Sequence, residues 1–563
     1  MSASTPRRIE RIASSAFSRM ASAGTSARIL AASGIIRPYP PATLARMGLT
    51  LKRWGTTPAG GFATVAARWP DRPAIIDDDG TVSYAELHRR SNALARVLRQ
   101  RGVGSGDGVA LMCRNHRGFV EGSIAISRLG ADVLYLNTSF AGPQLADVIA
   151  REQPSLVLHD EEFTELLSGA EGVTTMTSES IEEAIRGVDT SELSPGRPGR
   201  TIILTSGTTG TPKGAPRPQG GIPAAVSLLS GMPLRQGWRC HIAAPLFHTW
   251  GFAHYQLAML LGTTMVLSRR FDPATSLELL DRHRCQSFVA IPVMLQRILD
   301  LPEETLAAHS LPRLEVVASS GSALPGDLAV RWMDRFGDNL YSYYGSTEVA
   351  WASCATPADL RVAPDTAGRP PHGTVVRILD ESGREVPQGE TGRIFVGNDL
   401  QIDAYTGGGG KERIDGLMSS GDLGRFDEAG RLYVVGRDDE MIVSGGENVF
   451  PKEVEDCLVT HPAVSDAAAV GVPDDDFGQR LRAFVVVEDG AEVTEQELKD
   501  WVRQHLARYK VPREIVTLPE LPRNVTGKVL KRELTRWPDG DPAAGRDETD
   551  ADETDADEGK ADA

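Results

Sequence analysis

The 563-residue chain predicts an α/β protein: a large N-terminal domain of α/β subdomains with a β-rich subdomain, then a small α+β C-terminal domain. Three observations point there. Short apolar runs alternate with amphipathic stretches from residue 62 onward, the pattern of parallel strands with helices on their faces. Across 368–436 the chain turns to short strand-like runs and turns. After 436 a strand, a Gly-rich turn and a helix pattern begin again, and 563 residues exceed one ordinary core.

Taken in order, residues 1–55 hold nine basic side chains and one acid, Glu10. Ser- and Arg-rich with apolar residues at helical spacing in 9–20 and 27–36, this extension fits an arm packed on the body, a basic helix on an anionic membrane surface, or a targeting segment. Residues 62–70 read as a helix stopped by Pro70, 73–76 as a strand and 77–80 as a turn. Ser83 with Glu86 forms a capping-box pattern at the head of a helix running to Gly102. Strands follow at 107–112, 133–136 and 156–158, and the polar stretch 164–200 reads as a loop. Further strands fall at 201–204, 242–246, 262–267, 288–292 and 314–318. Residues 539–563, with eleven acids and two bases, read as a disordered acidic tail.

Totals limit the function. The net charge of −16 argues against non-specific nucleic-acid binding. No apolar run is long enough to span a bilayer. Five scattered cysteines without a C-x-x-C pair fit reduced thiols in a cytoplasmic protein, free or peripheral at a membrane.

Residues 201–214 carry the strongest chemical signal. The apolar strand 201–204 runs into Thr205-Ser206-Gly207-Thr208-Thr209-Gly210-Thr211-Pro212-Lys213-Gly214. Glycines permit close backbone approach, hydroxyls and exposed N–H groups offer donors, and Lys213 adds a cation, a set suited to a polyphosphate. The spacing is not that of a Walker A loop, because Gly214 follows the lysine. The second signal is Tyr344-Gly345-Ser346-Thr347-Glu348: an aromatic face for a base, a hydroxyl for a phosphate oxygen, and a carboxylate suited to Mg²⁺. His248 stands at a strand end beside Trp250 and Gly251, where α/β sheets collect ligands.

These motifs resemble those of the adenylate-forming superfamily, which includes acyl-CoA synthetases. The resemblance runs from 62 to about 530, with Ser420-Gly421-Asp422, Gly436-Arg437 and Asn524-Val525-Thr526-Gly527-Lys528 as further matches. It implies an ATP-dependent acid–CoA ligase with ATP, Mg²⁺ and CoA. By it, Gly321 packs on adenine, Asp422 and Arg437 hold the ribose, Asp439 is a hinge, Gly445 and Gly446 line the pantetheine tunnel, and Lys528 is the catalytic lysine. It also implies that Thr347, Glu348 and His248 act at the reacting carboxylate and phosphates. Domain limits of 1–55, 56–436, 437–538 and 539–563 follow. The family pattern breaks at Tyr405-Thr406-Gly407-Gly408-Gly409-Gly410-Lys411, where the four-glycine run reads as a mobile surface turn. With an acyl pocket among His248, Trp250, Gly251, Gly321 and Ala350, the small residues suggest a medium- or long-chain fatty acid. The alternatives are a fatty acyl-AMP ligase serving a carrier protein and an aryl-acid CoA ligase.

Overall fold

The computed structural model describes residues 23–55, 58–169, 172–194, 197–204, 213–217, 221–438, 442–444, 447–474, 478–524 and 527–537. They form two compact units, one built on the chain up to Ser420 with Gly424–Val434, the other mainly on Val435–Asn524 and the chain from Lys528. Thr205, Ser206, Gly207, Thr208, Thr209, Gly210, Asp439, Gly445, Gly446, the first 22 residues and the acidic tail lie outside the described residues.

In the first unit the apolar runs become two mainly parallel sheets. An eight-stranded sheet has the order Ala350–Ala355, Leu340–Ser346, Val316–Ser319, Ser287–Ala290, Arg239–Ile242, Thr264–Val266, Pro73–Asp77 and Gly80–Ser83. Its inner pairs are parallel and each edge is closed by an antiparallel partner. The strand Ser287–Ala290 is buried at every position, as a strand covered on both faces must be. A six-stranded sheet runs Thr174–Thr177, Leu156–His159, Gly108–Met112, Asp132–Tyr135, Thr201–Leu204 and Gly214–Arg217, with only the last pair antiparallel. The shared core includes Phe119, Tyr135, Phe252, Tyr255, Phe288 and Trp332, all buried. The β-rich segment is a third, five-stranded sheet over Val375–Leu379, Gly392–Gly397, Arg413–Ile414, Leu417–Phe426 and Leu432–Arg437.

Two local expectations change. The stretch 164–200 is not a continuous loop: Thr174–Thr177 is an edge strand parallel to Leu156–His159, between short helices Thr164–Leu167 and Ile181–Ala184. Only Met176 of that strand is buried, so its hydrophobic signal is slight and its threonines supply the strand preference. At the head of the helix Tyr84–Gln100, Ser83 accepts from the Glu86 N–H at 3.1 Å, as the pattern predicts. The reciprocal half of the box is not made, and the Glu86 carboxylate pairs with Arg89 instead.

The second unit is a five-stranded sheet built on the long hairpin Val464–Asp474 and Gly478–Val487, with Ile442–Ser444, Glu447–Val449 and the parallel strand Glu514–Thr517. Helices Pro451–Val459 and Glu495–His505 pack on it, the first opening with Pro451 at a position that needs no N–H donor. Val454, Leu458, Leu498 and Val502 fill one of its cores.

Among the described residues no helix is long and apolar enough to cross a membrane. All five cysteines are buried and free of disulfides.

Candidate active site

The site begins where the Leu340–Ser346 strand turns back into Ala350–Ala355. A Cβ on Gly345 would stand 1.9 Å from the Ala350 carbonyl oxygen, so the tight return requires glycine there. Ala350 takes up the remaining curvature with φ of 60°, in the left-handed region. Between them Ser346 Oγ accepts from the Glu348 and Val349 N–H groups at 3.2 and 3.3 Å, which fixes the Thr347-Glu348 turn.

Around this turn the fold gathers a hydroxyl, a carboxylate and cations from distant parts of the sequence. Thr347 Oγ1 lies 3.3 Å from Thr249 Oγ1, and Arg217 Nη2 donates to Thr249 Oγ1 at 3.0 Å. Glu348 Oε1 accepts from the Tyr405 hydroxyl at 2.7 Å. Lys213 Nζ sits 5.4 Å from the centre of the Tyr405 ring, so the cation that leaves the Gly-rich loop rests over the phenol that holds the carboxylate. Burial pushes the Arg217 guanidinium down to about 10 while the Glu348 charge pulls it the other way. The Tyr405 hydroxyl is raised by burial and then by Glu348, so it stays protonated as a donor. A carboxylate with neighbouring hydroxyls is the hard oxygen set that Mg²⁺ takes, and the donors present at Glu348 therefore fit that ion.

Arg217, Thr249 and Tyr405 do not stand out in the sequence. The signal for Tyr405 is an aromatic two residues before the glycine run, at a place where the family pattern breaks. The structure ties Tyr405 and Thr406 to the body of the unit. Thr406 N–H donates to the Gly214 carbonyl at 2.9 Å and its hydroxyl to Glu152 at 2.8 Å. A Cβ on Gly214 would meet Thr406 Oγ1 at 2.7 Å, so the strand leaving the Gly-rich loop packs closely on this segment.

The other expected residues fall in separate places. His248 precedes the helix Thr249–Leu261; its Nε2 is buried with no hydrogen-bond partner, and burial pushes the ring down to about 4. Tyr344 donates to Ser420 Oγ at 3.2 Å. Gly321 has φ of 101°, which only glycine adopts freely, in the turn after the Val316–Ser319 strand. Asp422 and Arg437 face each other from paired strands, 3.8 Å apart at Oδ1 and Nε. In the second unit, Lys528 follows Gly527, whose φ is 78°. Its N–H donates to Asn524 Oδ1 and its carbonyl accepts from the Asn524 N–H, both at 2.9 Å, so the Asn-to-Lys turn is closed by two bonds.

A nucleotide-activating α/β body with a separate small unit bearing the Asn-x-Thr-Gly-Lys turn defines an adenylate-forming ligase. The chain belongs to the AMP-binding enzyme family: the family model for that enzyme matches residues 62–405, and the model for its C-terminal domain matches 453–528. It is 34% identical over 485 residues to a feruloyl-CoA synthase of an Amycolatopsis species, covering 85% of this chain and 98% of that one. It is 31% identical over 492 residues to an indoleacetate–CoA ligase of Aromatoleum aromaticum, covering 83% and 95%. Among solved structures, the o-succinylbenzoate CoA synthetase of Bacillus subtilis in complex with its acyl-adenylate intermediate superposes with a TM-score of 0.76 at 28% identity, over 85% of this chain and 98% of that one. ATP-bound MatB from Rhodopseudomonas palustris gives the same values. The protein is thus an AMP-forming acid–thiol ligase that uses ATP, Mg²⁺, CoA and a small carboxylic acid.

The fatty-acid expectation is overturned. The relatives are named for feruloyl, 2-succinylbenzoate and indoleacetate substrates, acids with aromatic rings. The small residues behind that expectation have other uses. A Cβ on Gly251 would stand 2.2 Å from the Pro245 carbonyl oxygen, and Gly321 and Ala350 serve the backbone conformations given above. Instead of a channel of small residues, the region holds rings. Trp250 lies 5.4 Å from Tyr343 and 4.5 Å, edge-on, from His254.

Proposed function

We propose that the acid is aromatic and that the protein is an aryl-acid–CoA ligase. The observation that carries this is the cluster of rings, Trp250 against Tyr343 and His254, at the helix that follows His248. The names of the relatives favour it as well. In the first half-reaction the carboxylate attacks the α-phosphate of ATP and expels pyrophosphate. The loop Thr205, Ser206, Gly207, Thr208, Thr209, Gly210 with Lys213 holds the phosphates, Thr347 donates to a phosphate oxygen, and Glu348 holds Mg²⁺, whose charge offsets that of the phosphates. His248 orients the carboxylate. Tyr344 and Gly321 flank the base, and Asp422 with Arg437 takes the ribose hydroxyls. Lys528 supplies positive charge where negative charge develops in the transition state. In the second half-reaction the CoA thiol, deprotonated, attacks the acyl-adenylate and releases AMP, with Gly445 and Gly446 beside the pantetheine.

One lysine cannot serve both steps if CoA must reach the same carbonyl, so the small domain, residues 437–538, exchanges faces about Asp439. The test is acyl-CoA formation with ferulate, indoleacetate, benzoate and a series of C2–C18 aliphatic acids. Turnover of an aromatic acid in preference to all aliphatic ones is expected, and a preference for an aliphatic chain overturns the reading. Lys528→Ala should abolish adenylate formation, read as ATP–pyrophosphate exchange. Asp439→Pro should keep that exchange and lose the thioester; equal loss of both sinks the hinge.

We also propose that the basic extension, residues 1–55, rests on an anionic bilayer. The helix Pro41–Trp54 carries no acid, exposes Leu44, Leu49 and Leu51 at 51, 68 and 43%, and ends in Lys52 and Arg53. Co-sedimentation of the full chain with phosphatidylglycerol vesicles, absent with phosphatidylcholine and lost in the triple Leu→Asp variant, is expected. No binding to either vesicle overturns it.

A further inference from the structure

At the end of the large sheet away from the reacting groups, three arginines gather round two rings. Arg72 directly precedes the strand Pro73–Asp77, and its Nη1 donates to the Gly262 carbonyl at 3.3 Å, just before the parallel strand Thr264–Val266. These are amino ends of strands, whereas His248 and Gly321 follow the carboxyl ends of Arg239–Ile242 and Val316–Ser319. Arg68 ends the helix Pro58–Arg68, and the exposed Arg37 comes from the basic extension. Around Trp69, the guanidinium carbons of Arg68, Arg72 and Arg37 stand 3.9, 4.3 and 5.7 Å from the ring centre. Arg68 and Arg37 also share the Tyr39 ring, at 4.3 and 5.0 Å. Gln236 Nε2 donates to the Tyr39 hydroxyl at 3.2 Å, which holds that ring against the body.

Arg68 is 8% exposed, and its Nε and Nη2 have no hydrogen-bond partner. The charges that bear on it are those of Arg37 and Arg72, both of its own sign. Burial and then these two cations push it down to about 10, which still leaves it charged at neutral pH. A buried cation with unpaired donors is costly, and the great majority of buried polar groups are satisfied. The negative end of the helix dipole accounts for one cation at Arg68, but not for two more beside it. Ring stacking covers the face of a guanidinium and leaves its N–H edge without an acceptor. An oxyanion would take those donors and turn mutual repulsion among three cations into shared attraction.

We propose that Arg37, Arg68 and Arg72, on the platform of Trp69 and Tyr39, form a binding site for a phosphate group, separate from the nucleotide site. Guanidinium forks match phosphate oxygens, and three cations suit that group better than a lone carboxylate. The exposed Arg37 is the side from which the anion enters, drawing the Arg68 donors to it. Two sources carry the same chemistry. One is the headgroup of an anionic lipid, because the helix Pro41–Trp54 with its exposed leucines starts directly after Tyr39 and Pro40. The other is free phosphate.

The test uses the full chain as wild type, Arg37→Ala and Arg68→Met, with ATP–pyrophosphate exchange at the wild-type rate showing that both variants are folded. Inorganic phosphate, replacing chloride at equal ionic strength, should raise the wild-type melting temperature by about 2 °C or more at saturation. Both variants should lose that rise, and Lys213→Ala should keep it, which separates the cluster from the Gly-rich loop. In chloride, Arg68→Met should melt no lower than the wild type, since it removes an uncompensated charge; an arginine kept only for structure would lower it. Co-sedimentation with phosphatidylglycerol vesicles then identifies the source. Binding that falls about tenfold in both cluster variants, but not in Arg46→Ala, which removes an exposed charge nearby, assigns the site to a lipid headgroup. Vesicle binding that ignores the cluster, with the phosphate effect lost in both variants, assigns it to free phosphate. If neither measurement separates Arg37→Ala and Arg68→Met from the wild type, the proposal is overturned. Should Arg68→Met fail to fold, Arg37→Ala, changed at an exposed side chain, decides alone.

Discussion

Among the described residues a single phenol, that of Tyr405, donates to the Glu348 carboxylate, and that contact decides how firmly it is aimed. Tyr405→Phe removes the 2.7 Å hydrogen bond and keeps the ring under Lys213. Outer-shell partners of metal-binding carboxylates typically matter by about 10–100-fold in affinity or activity. Titration of adenylate formation with Mg²⁺ should therefore shift to higher metal concentration in this variant, and an unchanged titration would remove Tyr405 from the site. Gly251 offers a second test. Read as open space, Gly251→Ala would narrow the choice of acid. Read from the 2.2 Å approach to the Pro245 carbonyl, it should lower the melting temperature and impair all acids alike. Lys213 on one side, and Thr347 with Glu348 on the other, are legible in the sequence because they stand in two short runs that each contain glycine. Arg217, Thr249 and Tyr405 are not, because only tertiary folding brings them from three distant strands and turns. Gly251 was legible as small but not as forced, since the carbonyl that forbids a side chain is invisible until the chain is folded.

At the scale of elements, the small unit hangs on an ion pair at the centre of its sheet. Arg482 is 1% exposed; its Nε donates to Glu514 Oε2 at 2.7 Å and its Nη1 to the Trp537 carbonyl at 2.8 Å. It therefore ties the long hairpin to the parallel strand Glu514–Thr517 and to the last described residues. Removing one partner of a buried ion pair typically costs about 3–5 kcal/mol. Because Glu514 keeps some solvent contact, the lower end of that range is expected for Glu514→Ala. Urea unfolding followed by Trp501 and Trp537 fluorescence reads it; a loss under about 1 kcal/mol would show that water replaces the pair. Most strands were legible as apolar runs, since buried parallel strands admit few polar residues. The edge strand Thr174–Thr177 was not, because an edge buries one side chain and its pattern merges with a loop.

At the scale of the molecule, acid should destabilise the protein before its carboxylates titrate. His241 and His254 are buried, and burial pushes them down to about 4 and about 3. Unfolded, each would take a proton near pH 6.5. Between pH 6.5 and 4 the unfolded chain thus binds more protons than the native one, so stability rises with pH in that window and is lost as pH falls through it. The slope is at most about 1.4 kcal/mol per pH unit for each ring. The expected result is a urea midpoint that holds from pH 8 to 7 and declines from about 6.5 to 4. A flat midpoint to pH 5 would mean that these rings protonate within the fold. Asp160 adds nothing in that range. Burial would raise its carboxyl, but His116, the Arg114 N–H and Ser178 together hold it at about 2.

The buried thiols give the chain a silent background for spectroscopy. All five are enclosed, and burial raises each of them, so maleimide dyes should leave the native protein unlabelled. A dye pair attached through Ser382→Cys and Asp489→Cys, both on exposed turns of different units, would then report distance alone. Recording its energy transfer with ATP and acid, and again after adding CoA, would test whether the proposed exchange of faces takes place within a single turnover, with no native cysteine to remove first.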